Sequence, residues 1–171
     1  MSICRGPPLH ASRTVFTSDN GPWIIKGEEG GSSGLLRDGK GSTWEGGVRV
    51  PAIFWQPGRV AAGHIERSVA STMDLVPTAV EMTNMLFPSE TGLHRMTAHR
   101  AIDGEDLTPL LDGKARQLGP LFFYGPSALH AVRAGEWNLH IKTSSHTAKD
   151  YFAGKPPLLL NLERAPTDQS A

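Results

Sequence analysis

The chain has 171 residues, 39% of them hydrophobic, enough apolar mass for one domain with a real core or for one and a half small ones. Lysine plus arginine and aspartate plus glutamate each number 17, so the net charge is zero and the basic excess of a general nucleic-acid binder is missing. A single cysteine, Cys4, excludes an intrachain disulfide, and the longest apolar run, around residues 158–160, is far too short to span a membrane.

Residues 1–12 read as an irregular lead-in, because Gly6-Pro7-Pro8 blocks regular structure. They hold no apolar segment of the secretory kind, which fits a piece of a longer protein as well as a cytoplasmic one. Residues 13–18, Arg-Thr-Val-Phe-Thr-Ser, are β-branched and aromatic and predict a strand that stops at Asp19-Asn20-Gly21-Pro22. Residues 26–34 hold four glycines and two serines and predict a flexible loop, which continues to Gly47. Val48 to Trp55 reads as a buried strand, turned by Pro57-Gly58.

Residues 68–86 have helical character, with Asp74 as the expected cap and Pro77 tolerated in the first turn. Residues 88–105 are polar and predict an exposed linker. Residues 106–113 predict a short helix ended by Gly113. Four short strands are expected over 121–124, 129–133, 137–142 and 158–162. In the third, Trp137, Leu139 and Ile141 alternate with Asn138, His140 and Lys142, so the apolar set is expected on the buried face. The expected organisation is therefore 13–87 as part of an α/β sheet domain, 88–105 as linker and 106–171 as an antiparallel-sheet subdomain.

Few side chains stand out for chemistry. Asp19 and Asn20 follow a strand end, where α/β folds bind ligands, and their oxygens suit a hard cation such as calcium or magnesium. Asp19-Asn20-Gly21 is also good turn chemistry, and taken alone the tripeptide favours the turn. Lys40 stands between Gly39 and Gly41, where backbone can approach an anion, although a solvated loop lysine satisfies the same pattern. The nucleotide phosphate-loop pattern fails, since Gly41 follows Lys40 where serine or threonine is required. Glu45 and Arg49 are placed to pair with each other or to fix the loop. The seven histidines show no metal-ligand spacing and are expected mostly at the surface, with only His140 and His146 placed to reach a cleft. Cys4 has neither a second cysteine nor an evident base.

Residues 17–22, Thr-Ser-Asp-Asn-Gly-Pro, followed by 34–51, Gly-Leu-Leu-Arg-Asp-Gly-Lys-Gly-Ser-Thr-Trp-Glu-Gly-Gly-Val-Arg-Val-Pro, resemble the second half of the sulfatase family. The likeness is greatest to the arylsulfatase A and N-acetylgalactosamine-6-sulfatase branch. It continues through 71–78, 103–111, 121–124, 131–135 and 156–163, and runs from about Arg13 to the end. The resemblance implies an alkaline-phosphatase-like α/β fold and hydrolysis of sulfate esters by a formylglycine beside a calcium ion. On it, Asp19 and Asn20 match two calcium ligands and Lys40 matches the lysine that grips the substrate sulfate. His146 matches, more loosely, a residue at the substrate entrance.

The family's Cys/Ser-x-Pro-x-Arg nucleophile motif does not occur in these 171 residues, and the early aspartate ligands are missing too. The resemblance therefore implies the C-terminal part of a sulfatase, inactive alone, with a lysosomal, secreted or periplasmic setting as the family's usual one. Two other readings stay open. One is a non-catalytic remnant acting as a binding or partner subunit. The other is metal-dependent phosphate or phosphonate ester hydrolysis on a similar fold.

Overall fold

The computed structural model describes residues 13–86, 102–125, 127–143 and 156–164. The lead-in, Cys4, most of the 88–105 linker and His146 lie outside them. The β-branched run Thr14–Thr17 forms β1, which pairs with β2, Ala52–Trp55, in a two-stranded sheet. The strand expected from Val48 starts four residues later. Glu45–Val48 instead closes one helical turn, α1, with the Arg49 amide donating to the Glu45 carbonyl. The two glycines at 46 and 47 permit that turn: a Cβ at either would run into backbone carbonyls of the preceding loop. Nor is β2 buried, since Ile53 and Trp55 are both exposed.

Contacts divide the chain into two compact units, each assembled from separated stretches: Met1–Val15 with Ile53–Leu118, and Phe16–Ala52 with Gly119–Ala171. The first is organised around helix α2, Leu75–Leu86, entered through a 3₁₀ turn at Thr72–Asp74. Its cap is Ser71, not Asp74. The Ser71 hydroxyl accepts from the Met73 amide, and the Asp74 carboxylate reaches back to accept from the Ser71 amide at 2.9 Å, a capping box. The same carboxylate accepts from the Glu105 amide at 2.8 Å and pairs with the buried Arg116 guanidinium at 3.0 Å. Asp74 thus ties the helix start to residues 105–116. The Thr78 hydroxyl adds a second tie by accepting from the Leu107 amide at 2.8 Å. A short helix α3, Thr108–Leu111, packs on α2, and Val80, Met82, Leu107 and Leu110 are buried in this unit.

The second unit carries an antiparallel sheet in the order β3-β4-β5-β6, formed by Leu121–Tyr124, Leu129–Ala134, Trp137–His140 and Leu158–Asn161. Its register sets Ala131 opposite His140, Arg133 opposite Asn138, and Asn138 opposite Leu160. Those residues share one face, because directly opposed residues point the same way. It is this face that is buried. Asn138 and His140 are fully enclosed, while Trp137, on the other face, is 44% exposed. The alternation in β5 is therefore real but inverted relative to the apolar expectation. What covers this face is Trp44 and Glu45, both buried: the Trp44 ring packs on His140 and the Glu45 carboxylate pairs with Arg133.

Candidate active site

The segment between β1 and β2 lies within the second unit and bends back on itself at two close backbone crossings. The Gly21 amide donates to the Gly47 carbonyl at 2.9 Å, and the Lys40 amide donates to the Pro22 carbonyl at 2.8 Å. Both need glycine. A Cβ at Gly21 would overlap the Gly46 carbonyl, and one at Gly39 would meet the Pro22 carbonyl. Asp38 has φ +58°, a left-handed conformation that aspartate tolerates better than most side chains. Its carboxylate accepts from the Gly39 amide at 2.8 Å. The result sets Lys40 directly beside the residues that follow Asp19-Asn20.

A pocket of about 680 Å³ forms there. Asn20, Pro22, Trp23, Leu36, Lys40 and Arg49 are among its lining residues. The structure thus brings Asn20 and Lys40 to one cavity, from positions 20 residues apart. Asp19 is an exposed neighbour at the strand end and is not among the lining side chains. The Lys40 ammonium lies 5.6 Å from the centre of the Trp23 ring, and that of Lys26 lies 5.0 Å from it. Both distances are within cation–π range.

The lysine loop is anchored by charge and by stacking. The Glu45 carboxylate, fully buried, receives Arg133 Nη1 at 3.1 and 3.2 Å and Arg49 Nη1 at 3.5 Å. Glu45 and Arg49 therefore pair as expected, one helical turn apart. Arg133 is the partner the sequence did not indicate, since it comes from β4, 88 residues on. The Arg37 guanidinium sits 3.8 Å over the Trp44 ring, and Trp44 packs on His140 with ring centres 4.4 Å apart. His140 thus enters the interior rather than a cleft. Burial first, and then the Arg37 charge, push its pKa from 6.5 down to about 4, so it stays neutral at pH 7. His130 is likewise buried, whereas His64 is exposed beside Glu66.

The donor chemistry at Asp19 and Asn20 fits part of a calcium shell: one carboxylate and one amide oxygen, both hard ligands. Calcium takes about six to eight oxygens, so two are a share of a site. Among the described residues no three His, Cys, Asp or Glu side chains gather as a metal cluster.

The sulfatase family model matches residues 14–85, the stretch that contains the pocket, the lysine loop and all but the last residue of α2. The chain is 35% identical to human arylsulfatase A over 176 aligned residues, covering 92% of this chain and 32% of that protein. It is 37% identical to mouse N-acetylgalactosamine-6-sulfatase over 140 residues, covering 81% of this chain and 25% of that protein. In three dimensions it is similar to the PsFucS1 sulfatase from Pseudoalteromonas sp., with TM-score 0.77 and 26% identity over 95% of this chain and 33% of that one. The chain belongs to the sulfatase family. Its fold is a portion of the alkaline-phosphatase-like α/β fold with a small antiparallel sheet. It spans about a third of the length of the curated arylsulfatase A relatives it matches.

Proposed function

We propose that this chain is part of a sulfuric ester hydrolase and supplies the sulfate-gripping wall of its active site. The observation that carries the reading is the meeting of Asn20 and Lys40 in one pocket, with the Lys40 backbone tied to Pro22. Lys40 donates charge-assisted hydrogen bonds to a sulfate oxygen and neutralises charge that grows on the ester in the transition state. Asp19 and Asn20 would hold a calcium ion, which when bound adds positive charge at the same oxygens. Trp44, Glu45 and Arg133 keep the lysine loop in place. The formylglycine nucleophile is not supplied by any Cys-x-Pro-x-Arg segment of these 171 residues, so the chain by itself turns nothing over.

Titration of the chain with inorganic sulfate in the presence of calcium tests the site. Lys40→Ala is expected to weaken sulfate binding about 10- to 100-fold, the worth of one charge-assisted hydrogen bond. Asp19→Asn is expected to weaken calcium binding. Sulfate affinity indifferent to Lys40→Ala would sink the assignment. Release of 4-nitrophenol from 4-nitrophenyl sulfate by the chain alone would overturn its inactivity.

A further inference from the structure

Trp23 is absorbed by neither the calcium ligands nor the sulfate contact, yet it lines the same pocket as Asn20 and Lys40. Its backbone is fixed on both sides. The Trp23 amide donates to the Gly30 carbonyl at 2.9 Å, and its carbonyl accepts from the Lys26 amide at 2.9 Å. Gly30 is required for this approach, since a Cβ there would overlap the Trp23 carbonyl. The preceding residue, Pro22, is the one that holds Lys40. A large, half-solvated aromatic ring is therefore held at a set distance from the sulfate-gripping ammonium, with 41% of the residue exposed.

That distance has a consequence. A sulfate oxygen hydrogen-bonded to Lys40 lies roughly 2.8 Å from the ammonium nitrogen. The first carbon of the alcohol esterified to that sulfate is three bonds further on. With the Trp23 ring centre 5.6 Å from the same nitrogen, a flat group on the ester that extends towards the indole reaches van der Waals contact with it. Inorganic sulfate or a methyl ester is too small to use that surface. An aromatic ring, or the C–H face of a sugar ring, matches it.

We infer that Trp23 is a specificity-determining residue that stacks on the ring-bearing alcohol part of the sulfate ester and so selects ring-borne esters over small acyclic ones. This rests on the sulfate-site reading above. It gives Trp23 a role in discriminating substrates rather than in gripping sulfate.

The test is a set of affinities measured on the full chain with calcium present, using inorganic sulfate, methyl sulfate, phenyl sulfate and galactose 6-sulfate as probes. The two ring-bearing probes separate an aryl from a sugar preference. At least one of them is expected to bind about three- to tenfold more tightly than methyl sulfate, the range of one aromatic stacking contact. Trp23→Ala is expected to bring that ratio close to one, any change at Lys40 moving methyl sulfate and inorganic sulfate together, while Trp23→Phe keeps most of the preference. Lys26→Ala, which touches the ring from outside the lining, is expected to leave the ratio intact. A ring preference absent from the native chain, or one that survives Trp23→Ala, overturns the inference while the Lys40-dependent sulfate site stands. Sulfate binding that ignores Lys40→Ala removes the site, and the inference with it.

Discussion

His140 carries two ring nitrogens into the interior, and neither finds a hydrogen bond among the described residues. Its imidazole is pressed against Trp44, with the Arg37 guanidinium on the same indole, and both burial and that charge disfavour a proton. The energetic consequence has a definite sign. Unfolded, the histidine takes up a proton as pH falls through about 6.5; folded, it resists until about pH 4. Between those values the unfolded state binds more protons, so stability drops as the solution is acidified and levels off below pH 4. Full expression of the shift is worth on the order of 3 kcal/mol. Urea midpoints measured from pH 7 to pH 4 are expected to fall, and His140→Phe is expected to flatten much of that slope. His130, also lowered by burial, adds in the same direction, so the slope does not vanish entirely. The exposed Glu66 carboxyl, held at about 2 by the Ser68 hydroxyl and amide, loses its contribution between about pH 4.5 and 2, for the most part below this window. An unchanged pH slope in the His140 variant would refute the account. Legibility at this scale followed sequence distance. Glu45 with Arg49 is readable because four residues make one helical turn. Glu45 with Arg133, and Trp44 with His140, are contacts between a loop and a distant sheet that no local pattern encodes.

At the scale of elements, strands and helices emerged near where β-branched runs, turns and caps placed them, and the departures share a cause. The strand expected from Val48 yields its first four residues because Gly46 and Gly47 allow a helical turn and because Glu45 must face Arg133. In β5 the period of two survives, but the buried side is chosen by the covering loop, not by hydrophobicity alone. The α2 start shows a further case: an aspartate read as a cap is the third-position partner of the capping box, with Ser71 ahead of it. The difference is measurable. Ser71→Ala removes one acceptor and is expected to cost about 1 kcal/mol. Asp74→Ala also strips the acceptor from the Glu105 amide and leaves the buried Arg116 without its carboxylate, an expected loss of roughly 3–5 kcal/mol. Chemical denaturation of both variants decides this, and equal losses would show that the Arg116 pairing contributes nothing beyond the cap.

At the scale of the whole molecule, the two-stranded sheet leaves apolar surface open. β1 and β2 pair with each other in a sheet of two, and two strands alone are marginally stable in water. Phe16 is 66% exposed and Ile53 60%, with Val15 and Trp55 also exposed on the same two strands. One exposed apolar side chain is ordinary on a protein surface; here Ile53 and Trp55, two residues apart, share one face of β2, and Val15 and Phe16 add apolar surface on the two faces of β1, so the small sheet carries apolar surface open to association. The matched segment is about a third of the length of arylsulfatase A. The isolated 171-residue chain is therefore expected to bind the hydrophobic dye ANS and to self-associate as its concentration rises, measured by fluorescence and sedimentation velocity. Ile53→Thr combined with Trp55→Thr keeps β-branched residues on the strand while removing one apolar face of β2, and is expected to lower both signals. Lys40 and Trp23 lie outside these strands, so sulfate affinity should persist in that variant. A native chain that sediments as a sharp monomer without dye binding would show that these strands are covered from within the chain itself, and the exposed patch would then carry no consequence for assembly.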